Sequence, residues 1–352
     1  MSDSKEYGRR RGRNVLRAVV FILISAAVLV AADLAGRYAA KKQNQIANSS
    51  HQDASPDENI VVDDKKTIMW GGKEYFAKEN IEAVLIMGVD SAGVQDDTLS
   101  YMNTDQSDFN VLLVIDHDNK SYTSLTLNRD TMTKIPCLDA AGTMSYWKDG
   151  QLALAHTYGT GREDSCINQA WAVSELLFGV NVDHYLSFSM PAISIANDAV
   201  GGVTVTIADD FSKVDPSLKM GETIKLNGRQ AETFVRGRSG MGEPTNINRM
   251  SRQKTYMAAW KDKALQRFSG DGDFIFTLLG LVSDYMVSDM TANKLSELTN
   301  QLSEYTDNGV RETKGEAVKG DEFMEYYVDQ DDLRMTVLDL FYEENAAEST
   351  AE

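Results

Sequence analysis

The chain has 352 residues, 42% of them hydrophobic and 25% charged, with only 5 prolines. That composition excludes a disordered chain and allows one large domain or two. The net charge of −18, with no basic stripe interleaved with aromatics, argues against a nucleic-acid partner.

Charge is unevenly placed. Lys5, Arg9, Arg10, Arg11, Arg13 and Arg17 face only Asp3 and Glu6 before the apolar run Ala18 to Ala32. The run is roughly 15 residues against about 17–25 for a spanning helix, and Leu34-Ala35-Gly36 extends it. Residues 1–17 therefore read as a cytoplasmic basic arm and 18–36 as a transmembrane signal anchor with the remainder outside the membrane. The alternative is a cleaved signal peptide, since "VAA" before Asp33 resembles a cleavage site. Residues 37–66 are polar and read as a flexible linker, 67–343 as one extracytoplasmic domain, and 344–352 as a disordered tail.

Within the domain, "IEAVLIMGVD" is an almost continuous apolar run ending at Gly88 and Asp90, as in a strand buried on both faces. "FNVLLVID" from Phe109 and "YTSLTLN" from Tyr122 read as two more strands joined by a turn. The spacing predicts helices in "INQAWAVSELLFG", from Ile167 and stopped by Gly179, and in "PAISIANDAVGG" from Pro191. Short strands, "HYLSFSM" and "VTVTIAD", flank the second. Helical periodicity returns in "LNGRQAETFVRGR", "INRMSRQKTYMAAWKDKALQRF", "DFIFTLLGLVSDYM", "TANKLSELTNQLSEY" and "DDLRMTVLDLFYEE". Alternating strands and helices indicate an α/β sandwich with a buried mixed sheet.

Polar residues gather where strands should end. Asp90 ends one strand, Asp108 precedes the next, and Arg129-Asp130 ends the third in "LTLNRDTMTKIP". Strand ends line the ligand crevice of open α/β sheets, and Asp108 joins that group only if its strand runs antiparallel to its neighbours. Arg236 and Arg238 in "VRGR", then Arg249 and Arg252, add paired guanidinium groups, which suit a phosphate. Carboxylates beside them suit a divalent metal between protein and phosphate oxygens. Salt bridges closing a sheet edge, and turn capping for Asp90, would produce the same residues.

Other candidates read more plainly. His156 follows a helical apolar pattern and His184 precedes a strand, so both read as structural. Asp96-Asp97 reads as a solvated loop. Cys137 and Cys166, the only cysteines, are candidates for a disulfide outside the membrane, with two separate buried thiols as the alternative; no zinc motif surrounds them.

Six ordered blocks carry a resemblance: "LTLNRDTMTKIP", "QLALAHTYGTG", "VDHYLSFSM", "VGGVTV", "LNGRQAETFVRGR" and "NRMSRQK", behind an N-terminal apolar segment. Together, from about Ile81 to Phe268, they resemble the LytR-CpsA-Psr family of Gram-positive envelope proteins. The resemblance implies an α/β/α sandwich with an apolar cleft for a polyprenyl chain and a Mg2+-assisted diphosphate site. It implies a membrane phosphotransferase that moves a glycopolymer, teichoic acid or capsular polysaccharide, from undecaprenyl diphosphate to peptidoglycan. Asp90 and Asp108 fall on the family's metal aspartates, Arg129 and Asp130 on its arginine-aspartate pair, and Arg236, Arg238 and Arg249 on its diphosphate arginines, with Arg252 following. Two positions depart from the pattern. Gln106 stands where a basic residue is usual, and Gln151 where a lysine is. These losses favour one alternative, a non-catalytic envelope protein that binds polyprenyl-linked intermediates and regulates wall metabolism. A second, within enzymes, is a hydrolase of the diphosphate linkage, which differs only in water replacing the sugar hydroxyl.

Overall fold

The computed structural model describes residues 67–91, 103–139, 142–237, 274–320 and 323–345, with individual residues between 252 and 267. The segments expected as basic arm, membrane anchor and linker lie outside the described residues. Among the described residues, no helix is long and apolar enough to cross a membrane.

The described chain opens with a hairpin of β1 (Thr67–Trp70) and β2 (Lys73–Ala77), followed by three longer strands, β3 (Ile81–Val89), β4 (Ser107–Asp116) and β5 (Ser121–Leu127). A second hairpin, β6 (Met132–Leu138) and β7 (Met144–Gln151), leads through a 3-10 turn at Leu152–Thr157 into α1 (Glu163–Leu176). Next come β8 (His184–Ser189), α2 (Pro191–Ala199), the short strands β9 (Thr204–Thr206) and β10 (Thr223–Lys225), and α3 (Gly228–Arg236). Helical residues at 252, 256, 260 and 264 precede α4 (Phe274–Val282), β11 (Met286–Ser288) and α5 (Ala292–Glu304). The chain closes with β12 (Thr306–Glu312), β13 (Gly315–Lys319), β14 (Met324–Val328), α6 (Gln330–Phe341) and β15 (Tyr342–Glu344).

The central sheet has the order β11-β8-β3-β4-β5-β12. It is mixed, as expected: β4 runs antiparallel to β3 and β5, while β8 is parallel to β3 and β12 parallel to β5. Alternation along β3 divides its side chains between two cores. Ala83, Leu85, Met87 and Val89 pack with α1 and α6, whereas Val84 and Ile86 pack with Leu295, Leu298 and Leu302 of α5. This double burial explains why the central strands have continuous apolar sequences. A third core joins α2, α3 and α4 to Tyr256, Trp260 and Ala264, one turn apart, and to the β9-β10 ribbon.

Two expectations change. The helix expected from Ile167 starts at Glu163, where Glu163 and Asp164 favour the positive end of the helix dipole. The stretch around His156 is a 3-10 turn rather than an α-helix, and its first two N–H groups, those of Leu152 and Ala153, donate to the carbonyls of Thr131 and Arg129.

The expected disulfide is also corrected, since Cys137 and Cys166 are both free and buried. They sit on different elements and meet different neighbours. Cys137 on β6 is paired across the hairpin with Tyr146, whereas Cys166 on α1 lies against Ser187. Burial pushes the Cys166 thiol up to about 12.

Candidate active site

Two local devices bring the candidate aspartates together at one pole of the sheet. β4 runs antiparallel to β3, so its start meets the end of β3. The register then slips: Gly88 faces Phe109 and Val89 faces Ser107, leaving Asp108 as the extra residue of a β-bulge. Bulges of this kind re-aim a side chain. Asp90 N–H and Asp108 N–H both donate to the Gln106 carbonyl, each at 3.0 Å.

A buried amide relay supports the bulge. The Ser107 hydroxyl donates to Asn110 Oδ1 at 2.8 Å, Asn110 Nδ2 donates to the Ser107 carbonyl at 3.0 Å, and Gln169 Nε2 of α1 donates to Asn110 Oδ1 at 3.1 Å. None of these residues was singled out from sequence. The signal was present in Asn110, an amide inside the apolar run "FNVLLVID".

Arg129 and Asp130 occupy the turn after β5. Asn128 Oδ1 accepts the Asp130 N–H at 2.9 Å, so the asparagine side chain ends the strand. The turn is held on its other side by β14, where Tyr326 N–H donates to the Asp130 carbonyl at 2.9 Å. The Arg129 guanidinium faces three acceptors. Nη1 bonds Asp108, Nη2 donates to Gln106 Oε1 at 2.5 Å, and Nε lies 3.3 Å from Asp130 Oδ1 as an ion pair rather than an aligned hydrogen bond. Gln151 Nε2 donates to Asp130 Oδ1 at 3.0 Å and to the Met324 carbonyl at 2.7 Å.

Arg236 reaches the same pole as the last residue of α3. Its Nη2 donates to Asp90 Oδ1 at 3.1 Å and its Nη1 to Glu232 at 2.7 Å. The helix is started by a capping box, with Asn227 and Gln230 bonded reciprocally. Arg129 is mostly buried, whereas Arg236 is 44% exposed. One guanidinium is built into the fold and the other is solvated.

Arg252 takes a different place from the one expected. Its side chain is 5% exposed. Nε donates to the Phe234 carbonyl at 2.8 Å, Nη2 to the Gly237 carbonyl at 2.5 Å, and Nη1 pairs with Asp209. Arg252 thus caps the end of the helix that carries Arg236. Arg238, Arg249 and Asp96-Asp97 lie outside the described residues.

A further carboxylate, Asp105, lies near Asp90 at the pole. Burial, with a smaller push from the Asp90 charge, raises Asp105 above the ordinary carboxylate value, while a Ser91 hydrogen bond opposes it. His156 behind it is 1% exposed, and its Nδ1–H donates to the Asp105 carbonyl at 2.8 Å. His184 lies at the opposite pole, 2.9 Å from Asp289.

Asp90 and Asp108, each paired with an arginine, are the carboxylates at the site pole that could serve a divalent cation. Asp90 and Asp108 offer hard carboxylate oxygens from two strands pinned to one carbonyl, the ligand type magnesium takes when water and phosphate complete its shell. Among the described residues no group of three or more His, Cys, Asp or Glu could hold a metal, so the described protein would supply only part of a coordination shell.

Fold and site together define an α/β/α protein whose central strands end in arginine-aspartate pairs, beside a separate apolar helical core. The LytR_cpsA_psr family model matches residues 37–340, and the chain belongs to that family. It is 23% identical over 321 residues to a polyisoprenyl-teichoic acid–peptidoglycan teichoic acid transferase, TagU of Oceanobacillus iheyensis, covering 89% of this chain and 87% of that one. TagT of Bacillus subtilis, named for the same transfer, is 25% identical over 267 residues, covering 73% of each chain. A Streptococcus agalactiae crystal structure shares the fold, with a TM-score of 0.55, 22% identity, and coverage of 75% of this chain and 90% of that one.

Proposed function

We propose that the chain is a membrane-anchored, extracytoplasmic phosphotransferase. It moves a glycopolymer of teichoic acid or capsular polysaccharide type from undecaprenyl diphosphate to peptidoglycan. The observation that carries this reading is the sheet pole at which Arg129 pairs with Asp108 and Arg236 with Asp90, in a family whose relatives bear transferase names. The basic arm and apolar run of residues 1–36 would hold the enzyme in the cell membrane where its lipid substrate lies, with the N-terminus in the cytoplasm.

In this mechanism an acceptor hydroxyl attacks the phosphorus that carries the glycan. The phosphoanhydride bond breaks and undecaprenyl phosphate leaves with the bond's electrons. Arg129 and Arg236, joined by Arg238 and Arg249, hold the non-bridging oxygens where negative charge develops, and such electrostatic stabilisation usually dominates the rate enhancement of transfers of this kind. Asp130 orients Arg129 or takes the acceptor hydroxyl's proton. Mg2+ held by Asp90 and Asp108 would supply further neutralisation of the diphosphate. Arg252 serves by fixing the end of α3 rather than by touching phosphate.

One observation favours a second reading. All the Arg129 nitrogens face protein acceptors, as suits a protein that binds polyprenyl-linked intermediates without turning them over. The experiment gives the full chain a polyprenyl-diphosphate-linked glycan, a peptidoglycan acceptor and Mg2+. Transfer is expected, falling about 10²–10³-fold in Arg129→Ala. An unchanged rate in the variant overturns the clamp. Binding without product supports the second reading, and free polymer without acceptor linkage identifies a hydrolase.

A further inference from the structure

We infer that Gln151 is a positioning residue for the site, holding Asp130 Oδ1 by a hydrogen bond and, through it, setting the Arg129 guanidinium. The inference rests on the transfer reading above and assigns a part to a residue outside it.

Register places Gln151 at the site. The β6-β7 ladder begins with Met132 opposite Gln151, so the last residue of β7 returns beside the turn from which β6 departed. Gln151 and Asp130 are each 6% exposed. Both Gln151 Nε2 protons are used there, one toward Asp130 Oδ1 and one toward the Met324 carbonyl at the start of β14. An amide nitrogen only donates, so the Asp130 oxygen that meets it must accept. The Arg129 Nε faces that oxygen at 3.3 Å as an ion pair. Asp130 Oδ1 thus accepts from Gln151 and lies opposite the Arg129 charge.

The consequence passes on to Arg129. Its guanidinium has Asp130 on the Nε side, Asp108 on Nη1 and the Gln106 amide oxygen on Nη2. Gln106 accepts from Arg129 while Gln151 donates to Asp130, so the two glutamines bracket the ion pair with opposite polarity and no added charge. Loss of the Gln151 donor would remove one hydrogen bond from a buried carboxylate and loosen the Nε side of the guanidinium, which Asp108 and Gln106 still hold at Nη1 and Nη2. A shift of that size at a phosphate clamp acts on turnover more than on ground-state binding.

The test is a double-mutant cycle on the full chain with Gln151→Met, Asp130→Asn and the pair. Gln151→Met is expected to lower kcat about tenfold with KM within about twofold. The pair is expected to be no slower than Asp130→Asn alone, because the first residue acts through the second. Additive losses, or wild-type kcat in Gln151→Met, overturn the inference. Gln151→Glu keeps the shape and sets a second carboxyl against Asp130. The two should share a proton, moving the acid limb of the kcat profile upward by about one unit or more; an unmoved limb overturns the inference. The carboxyl 13C shift of Asp130, titrated in wild type and in Gln151→Glu, reads the same coupling without substrate. Coupled titration in a chain that transfers nothing supports the inference and sinks the transfer reading, whereas uncoupled titration in a chain that does transfer sinks the inference alone.

Discussion

Burial leaves the His156 imidazole with a single bond, from Nδ1–H to the Asp105 carbonyl, and no partner for Nε2. Burial also pushes its pKa down from 6.5 to about 4, against a smaller opposing effect of the Asp105 carbonyl. An imidazole depressed in this way takes its proton in the unfolded chain first. Its contribution is complete above the unfolded value and is lost as pH falls toward the folded one. Wild type should therefore lose roughly 3 kcal/mol between about pH 6.5 and 4 on this account. In His156→Phe that part of the slope should disappear, which urea unfolding across the window measures. At the same scale, Arg129 and Asp130 were legible because charge interrupts an apolar strand. Gln106 and Gln151 were legible only as missing cations. Their bonds depend on a bulge and on a hairpin register, and neither is written in local sequence. Arg252 had the opposite fault: its spacing from Arg249 suggested a phosphate, and only its buried contacts reveal a helix-end cap.

The helices and strands differ in how they announced themselves, and burial is the reason. β3 and β4, covered on both faces, gave long apolar runs, and amphipathic segments gave most of the helices. β12 is exposed at nearly every position and is held to β5 by backbone bonds, so it leaves no hydrophobic period to read. The outer part of β7 is exposed in the same way. Close packing between elements makes a sharper prediction from two glycines. A Cβ on Gly228, at the start of α3, would sit 2.6 Å from the Ser194 carbonyl oxygen and 2.3 Å from the Ser194 hydroxyl of α2. Gly280 in α4 has nothing within 4 Å of the same added atom. Gly228→Ala should destabilise by about 1–3 kcal/mol as α2 and α3 are forced apart. Gly280→Ala should stabilise by about 0.5–1 kcal/mol through helix propensity and a less flexible unfolded chain. Urea midpoints of the two variants moving in the same direction would contradict this account of the α2-α3 contact.

Across the whole molecule the sheet separates function from stability by its length. The end of β3 carries Asp90 at the site, and its start carries Glu82 in an ionic cluster at the other pole. There His117 Nε2 lies 3.0 Å from Glu82, Lys294 Nζ 2.9 Å, and His184 Nε2 3.6 Å, while Tyr305 and Asp289 hold the far nitrogens of the two imidazoles. These residues tie β3, β4, β8 and α5 together. Burial opposes the Glu82 charge, yet hydrogen bonds from Lys294 and His117 outweigh it and hold the carboxyl below its ordinary value. A carboxylate lowered in this way contributes stability that is present above its unfolded value and lost as pH falls through the folded one. Glu82→Gln keeps the shape and removes the charge, so it should cost about 1–3 kcal/mol at pH 7, within the range for a hydrogen bond to a charged group. The gap from wild type should narrow as pH falls below the ordinary carboxylate value and close only below the lower folded value, where the wild-type carboxyl is itself protonated. Because the cluster lies at the opposite end of the strand, kcat for the proposed transfer should be unchanged in the folded variant. Unfolding at pH 7 and at pH 3.5, beside a transfer assay at pH 7, checks all three expectations. A stability gap of equal size at both pH values would show that shape rather than charge holds this pole together.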